Sequence, residues 1–204
     1  MGIIKKYEFT GKTKVITQSN ESHTLHQIKA LKDFRDIKAG YLGGWIEKEE
    51  NLSQEGDCWV YSNARVYDDA RVYGDALVYD YAMVYGSSVV HDTAKVYGNA
   101  QVYGKASIGG TAKVYSKARV LDDAQVYGNA QVLDDAVVRD TAKVYDDAEV
   151  YGGALIRGTA EVYGNARVYD EAFIRDASQV YGKASLGGNA QVFDNAQVSD
   201  DAQV

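Results

Sequence analysis

"AVVRDTAKVYDDAEVYGGALIRGTAEVYGNARVYDEAFIR", residues 136–175, places an aliphatic residue at every sixth position: Val138, Val144, Val150, Ile156, Val162, Val168 and Ile174. Alanine stands two places before each. In Ala-x-Val the side chains alternate. Alanine and valine therefore share one side of an extended segment, while x and the residue after valine share the other. The two residues that follow, such as Asp146-Asp147 or Gly152-Gly153, tolerate the backbone angles of a corner. Each hexad reads as a short strand and a corner.

The same step runs outward from this stretch in both directions. From Val60 to Val204 it gives 25 consecutive aliphatic positions, all valine except Ile108, Ile156, Ile174 and Leu186. Alanine precedes each by two from Val66 onward, except at Ser88 and Ser178, and no insertion breaks the array. Proline is absent from the chain, which suits a ladder that uses its amides. A fixed short period of this kind marks a solenoid. The outward residues set the size of one turn. Val137, Leu155 and Phe173 are 18 apart, and so are Arg139, Arg157 and Arg175, which makes three hexads one coil. The expected architecture is an all-β, triangular parallel β-helix of about eight coils, roughly 40 Å long at strand spacing.

These repeats resemble the hexapeptide-repeat superfamily, which carries an aliphatic residue every six and a small residue two before it. The resemblance implies a single-stranded left-handed parallel β-helix; the period by itself does not set the hand. Residues 28–61, "IKALKDFRDIKAGYLGGWIEKEENLSQEGDCWVY", narrow it further. They resemble the segment leading into the first coil of YdcK-like β-helix proteins of bacteria and their phages. A similar D-F-x-D-[VI]-K-A-G-x-x-G-G-W…N-L-S-x-x-G-D-C-W run occurs there. Such proteins carry a transferase label by analogy, so the resemblance implies fold more than activity.

The chain divides into an N-terminal cap, residues 1–58, and the repeat helix, residues 59–204. In the cap, "KKYEFTG", "TKVITQ" and "TLHQIKALKDF" alternate as strands do, and a β cap would cover the unpaired amides of the first coil. Trp45 and Trp59 are expected to plug the end of the bore. The cap holds nine basic and nine acidic residues, so the net charge of −7 belongs to the coils, with 13 basic against 20 acidic. An acidic balance argues against direct nucleic-acid binding. No apolar run approaches the ~18 residues of a membrane span. The lack of a signal-peptide core in Met1–Thr10 and a single cysteine, Cys58, set cytoplasm as the expected location.

Chemistry-bearing residues are few. His91 occupies a slot that its neighbours fill with tyrosine, and "VVHDTAKV" is similar to the I-A-H-D-C-T-V stretch of UDP-N-acetylglucosamine acyltransferases, where a histidine acts as general base. The register differs: their histidine lies two places after the aliphatic residue, whereas His91 lies one place after Val90. Gly109, one coil on, leaves space beneath the imidazole. Carbonic anhydrases of this fold need three zinc-binding histidines, and the coils hold one. His23 and His26 read as surface residues rather than metal ligands, and Cys58 as a small buried apolar group. Corner acids such as Asp122-Asp123, Asp134-Asp135 and Asp146-Asp147 are explained by turn preference, ahead of calcium binding or mimicry of a nucleic-acid backbone. No metal and no cofactor are expected, acyl-CoA entering only if His91 is catalytic.

Two outward features point to binding. Tyr127, Tyr145, Tyr163 and Tyr181 form an aromatic column that stiffens one face and offers a platform for a partner or a sugar chain. Beside the arginine column Arg139, Arg157 and Arg175 runs the apolar stripe Val137, Leu155 and Phe173, the marks of an interface. The expected function is a non-catalytic structural or binding scaffold, a rigid rod that self-associates through this face, with an acidic protein partner as the other occupant. The alternatives are an acyltransferase-like enzyme using His91, and an acidic decoy or inhibitor of the phage-encoded kind.

Overall fold

The computed structural model describes residues 5–18 and 20–204. The hexads form a parallel β-solenoid of about nine turns with 18-residue coils. Each aliphatic residue from Val60 to Val198 ends a two-residue strand, and each strand pairs with its counterparts one coil away: Val84 faces Val102, which faces Val120. The first face runs from Arg65–Val66 to Gln191–Val192 and the second from Trp59–Val60 to Ser185–Leu186. The third runs from Arg71–Val72 to Gln197–Val198. Strands this short still close a ladder because the corner residues also bond from coil to coil. Lys105 N–H, for instance, donates to Asp122 C=O at 2.6 Å.

The bore is filled as the alternation predicts. The repeat alanines and aliphatics from Ala64 to Leu186 are wholly buried. Full burial of a side chain the size of valine contributes about 1.5–3 kcal/mol, so a thin core repeated in every coil sums to a large one. Ser88 and Ser178, the two breaks in the alanine row, are buried too. Their hydroxyls donate to the carbonyls of Tyr85 (2.8 Å) and Arg175 (2.7 Å). At the last coil Val192 is nearly covered, Val198 is half-buried and Val204 is exposed.

Corners explain more of the sequence than turn preference did. Asp68, Asp92 and Asp140 adopt φ of 57°, 56° and 62°, a left-handed conformation that aspartate tolerates and most residues resist. Each also ties its corner to the next. Asp68 Oδ2 accepts the Gly86 amide at 2.9 Å, Asp92 Oδ2 that of Gly110 at 2.8 Å, and Asp140 Oδ2 that of Gly158 at 2.9 Å. The corner carboxylates are rungs of a side ladder.

The lead-in segment begins the helix before Val60. Strands β1 (Tyr7–Gln18) and β2 (Glu21–Ala30) form an antiparallel hairpin, and β3 (Leu42–Ile46) joins it to the first face. Ile46 pairs with Val66, and Leu52 bridges Val72, each 20 residues apart. The two residues in excess of a coil lie between Leu52 and Val60. Neither tryptophan plugs the bore, because each precedes an inward aliphatic residue and the pleat turns it outward. Trp45 is half-buried with the Lys14 ammonium 4.2 Å from its ring. Trp59 is covered from outside by Tyr7 and Phe34. Backbone instead lies close against the first coil: a Cβ on Gly44 would stand 2.8 Å from both Val60 Cγ1 and Ala64 O.

If the corner ladder contributes as described, Asp140→Ala lowers stability by about 1–3 kcal/mol through a lost acceptor and a strained backbone. Asp140→Asn keeps an acceptor and tolerates φ of 62°, so it loses well under half as much. Urea midpoints followed by circular dichroism compare the two variants, and equal losses would refute the role.

Candidate functional site

His91 lies on the third face, one coil after Tyr73 and one coil before Gly109. Its ring stacks on Tyr73, with centroids 5.5 Å apart and planes 14° apart. Because Gly109 has no side chain, the imidazole leans into the vacant place, where a Cβ would collide with its Cε1. In this pose Nε2 is 3.3 Å from Ser107 Oγ and Nδ1 is 3.0 Å from Asp92 Oδ2. The Gly110 amide, bonded to Asp92, is the main cause that holds its carboxyl below the usual aspartate range. Hydroxyl, imidazole and carboxylate thus stand in series, the order a serine nucleophile requires. They border an open groove of about 440 Å³ also lined by Gln125 and Tyr127. The surrounding amides are already used: Ser107 N–H bonds Ala124 and Gly109 N–H bonds Val126. An oxyanion donor would have to be a side chain such as Gln125. Sequence reading noted Gly109 and missed Ser107, though the 18-residue period places it beside Gly109.

On the first face Arg139, Arg157 and Arg175 occupy successive coils, with Val137, Leu155 and Phe173 half-buried beside them. Stacked guanidiniums repel, and aromatic rings offset this. The Arg157 guanidinium lies 4.9 Å from the Phe173 ring, and that of Arg175 lies 4.7 Å from Phe193. Arg175 also meets Asp176 at 2.6 Å, so a corner carboxylate does reach its neighbour. Arg139 Nε is buried without a hydrogen-bond partner. A groove of about 320 Å³ runs past Leu121, Val137, Arg139 and Leu155, and Phe193 ends the arginine column as an exposed ring.

The tyrosine columns are stacks. Tyr127, Tyr145, Tyr163 and Tyr181 succeed one another at 4.9, 4.9 and 5.0 Å with planes within 6°. Their inner ring faces are covered by neighbours, leaving edges and hydroxyls outward. A sugar ring that binds by lying on an aromatic face finds one at a column end alone.

Cys58 is buried as expected, but it is not a plain apolar group. The ammonium of buried Lys6 lies 3.1 Å from its Sγ and bonds the carbonyls of Gly56 and Cys58 at 3.1 and 3.0 Å. Burial pushes the Cys58 thiol up and the Lys6 ammonium down from their usual ranges. His23 and His26 do not converge: His26 stacks on Phe9 at 4.7 Å, while His23 is buried, not superficial, among carboxylates.

Comparison with known proteins agrees with the repeat fold. The family described as YdcK Beta solenoid repeat matches residues 64–80 and 124–140. In these stretches the coils are similar to the YdcK β-solenoid repeat. "Uncharacterized acetyltransferase YdcK" of Escherichia coli (strain K12) is 50% identical over 42 residues, 21% of this chain. Those residues span 13% of the Escherichia coli protein, so the likeness covers little of that relative's length.

The tyrosine columns make alkaline stability a test. Burial, the largest cause, raises Tyr61, Tyr79 and Tyr85 from 10.0 to about 12. An acid whose folded value is raised stabilises the fold fully below its unfolded value, and this is lost as pH climbs to the folded value. The β signal and tyrosinate absorbance should therefore change together between pH 10 and about 12. Tyrosinate forming across that window in an intact β-helix would show that the columns contribute nothing.

Proposed function

We propose that this YdcK-like solenoid is a non-catalytic binding scaffold, a rigid rod that self-associates through its first face. The observation that carries the reading is the row Val137, Leu155 and Phe173, bordered by the column Arg139, Arg157, Arg175 and Phe193 on an unbroken sheet. The rest of the coils are acidic, so two copies repel except where these arginines can meet a neighbour's corners, such as Asp122-Asp123 and Asp134-Asp135. A twofold, face-to-face dimer is the simplest way to bury a self-complementary row. The protein should sediment as a dimer or larger at tens of micromolar. Leu155→Asp with Phe173→Asp should give monomers with an intact β signal. A monomeric wild type, or a double variant of unchanged mass, would refute the interface.

One observation favours a second reading, acyl transfer at His91. The series Ser107, His91 and Asp92 borders a groove, and the Escherichia coli relative is named an acetyltransferase. On this reading acyl-CoA is the donor, His91 the general base and Asp92 its orienting partner. On the scaffold reading acetyl-CoA does not bind saturably and His91→Ala is silent. Saturable binding that His91→Ala abolishes would select the enzyme.

A further inference from the structure

His23 is more than nine-tenths buried where the hairpin meets the first coils, with its Nδ1 facing two carboxylates from different elements. Glu47 Oε1, just after β3, is 3.1 Å away, and Asp68 Oδ1, in the first-face corner, is 3.3 Å away. Glu21, at the start of β2, brings a third carboxylate within 4.8 Å of His23 and Asp68. Lys48, a nearby cation, is spent on Asp69 at 2.7 Å.

The inner carboxylates are held from behind. Glu47 Oε2 accepts the Asp68 amide at 2.7 Å, and Asp68 Oδ2 accepts the Gly86 amide at 2.9 Å. Each therefore has one oxygen pinned by backbone and the other aimed at the imidazole, the arrangement that orients metal ligands. A tetrahedral zinc with ligands about 2.1 Å away sets those ligands about 3.4 Å apart, close to the two separations found. A separate observation points to something beyond the side chains themselves. Tyr67, whose ring packs 5.0 Å from that of His23, is fully buried with no partner for its hydroxyl. Water on a bound cation would satisfy it.

We propose that His23, Glu47 and Asp68, with Glu21 at the rim, bind a divalent transition metal that staples the hairpin to the first coils. One imidazole nitrogen among carboxylate oxygens suits zinc or manganese better than calcium or magnesium, which favour oxygen alone. The site reverses the reading of His23 as a surface residue. It does not depend on what the first face or His91 does.

Tag-free protein, stripped with chelator, is titrated with zinc, manganese, calcium and magnesium by calorimetry, and cobalt supplies a ligand-field spectrum. One zinc or manganese per chain should bind and raise the thermal midpoint, with a cobalt spectrum showing nitrogen and oxygen ligands. Glu47→Gln, nearly isosteric, should weaken binding at least ~10-fold, and His23→Gln should abolish it. His26→Ala, outside the cluster, should bind as wild type. The proposal fails if wild type binds no stoichiometric metal, or if Glu47→Gln and His23→Gln bind as well as His26→Ala does. A protonated His23 bridging the two carboxylates unaided would produce that failure.

Discussion

Register between coils is the constraint on which everything else in the molecule depends. An amide in one coil donates to a carbonyl one coil on, as His91 does to Ile108 and Arg139 to Ile156. One added residue would turn every later inward side chain outward, because successive side chains alternate. The uninterrupted six-residue step keeps Val, Ala and corner in phase from Val60 onward. Within that frame the corner aspartates add a second ladder, so residues that look like plain turn formers also hold coils in phase. The one departure, two extra residues between Leu52 and Val60, falls where Lys6 and Cys58 lie buried under the hairpin.

The same constraint decides what the sequence could reveal. The coil length, the faces and the buried rows follow from a period, and a period is visible in one dimension. Outward columns follow too, so the Arg139 and Tyr127 columns are legible from spacing alone. Contacts across the cap were hidden. His23, Glu47 and Asp68 are brought together by an antiparallel hairpin and a lead-in coil of 20 residues, and no repeat spacing relates them. Trp45 and Trp59 were misplaced for a local reason: their size suggested a plug, while the pleat, which already governed every coil, turned them outward. Ser107 was legible and overlooked, since it lies beside Gly109 in the coil after His91.

A rod of this kind confines function to columns. Any outward side chain has neighbours about 4.8 Å away in the coils before and after it, so a site is written by what successive coils place in one slot. Substituting a single exterior rung changes stability by about 0.5–1.5 kcal/mol. The columns can therefore diverge while the bore stays valine and alanine. Duplicating an 18-residue unit also copies its outward residues, which makes repetition of arginine alone weak testimony for selection.

What separates the arginine column from copying is its chemistry. Val-Val-Arg-Asp, Leu-Ile-Arg-Gly and Phe-Ile-Arg-Asp share the arginine while the apolar residue before the aliphatic grows from valine to leucine to phenylalanine. The ring added last lies under two guanidiniums, 4.9 Å from Arg157 and 5.8 Å from Arg175, and Phe193 follows in the next coil. A passively copied unit would leave three charges stacked without relief. Here aromatic rings offset Arg157 and Arg175 within the chain, and Asp176 pairs with Arg175, so two of the three charges are relieved. A face that is apolar and cationic, on a rod otherwise acidic, is physically suited to contact with a second copy.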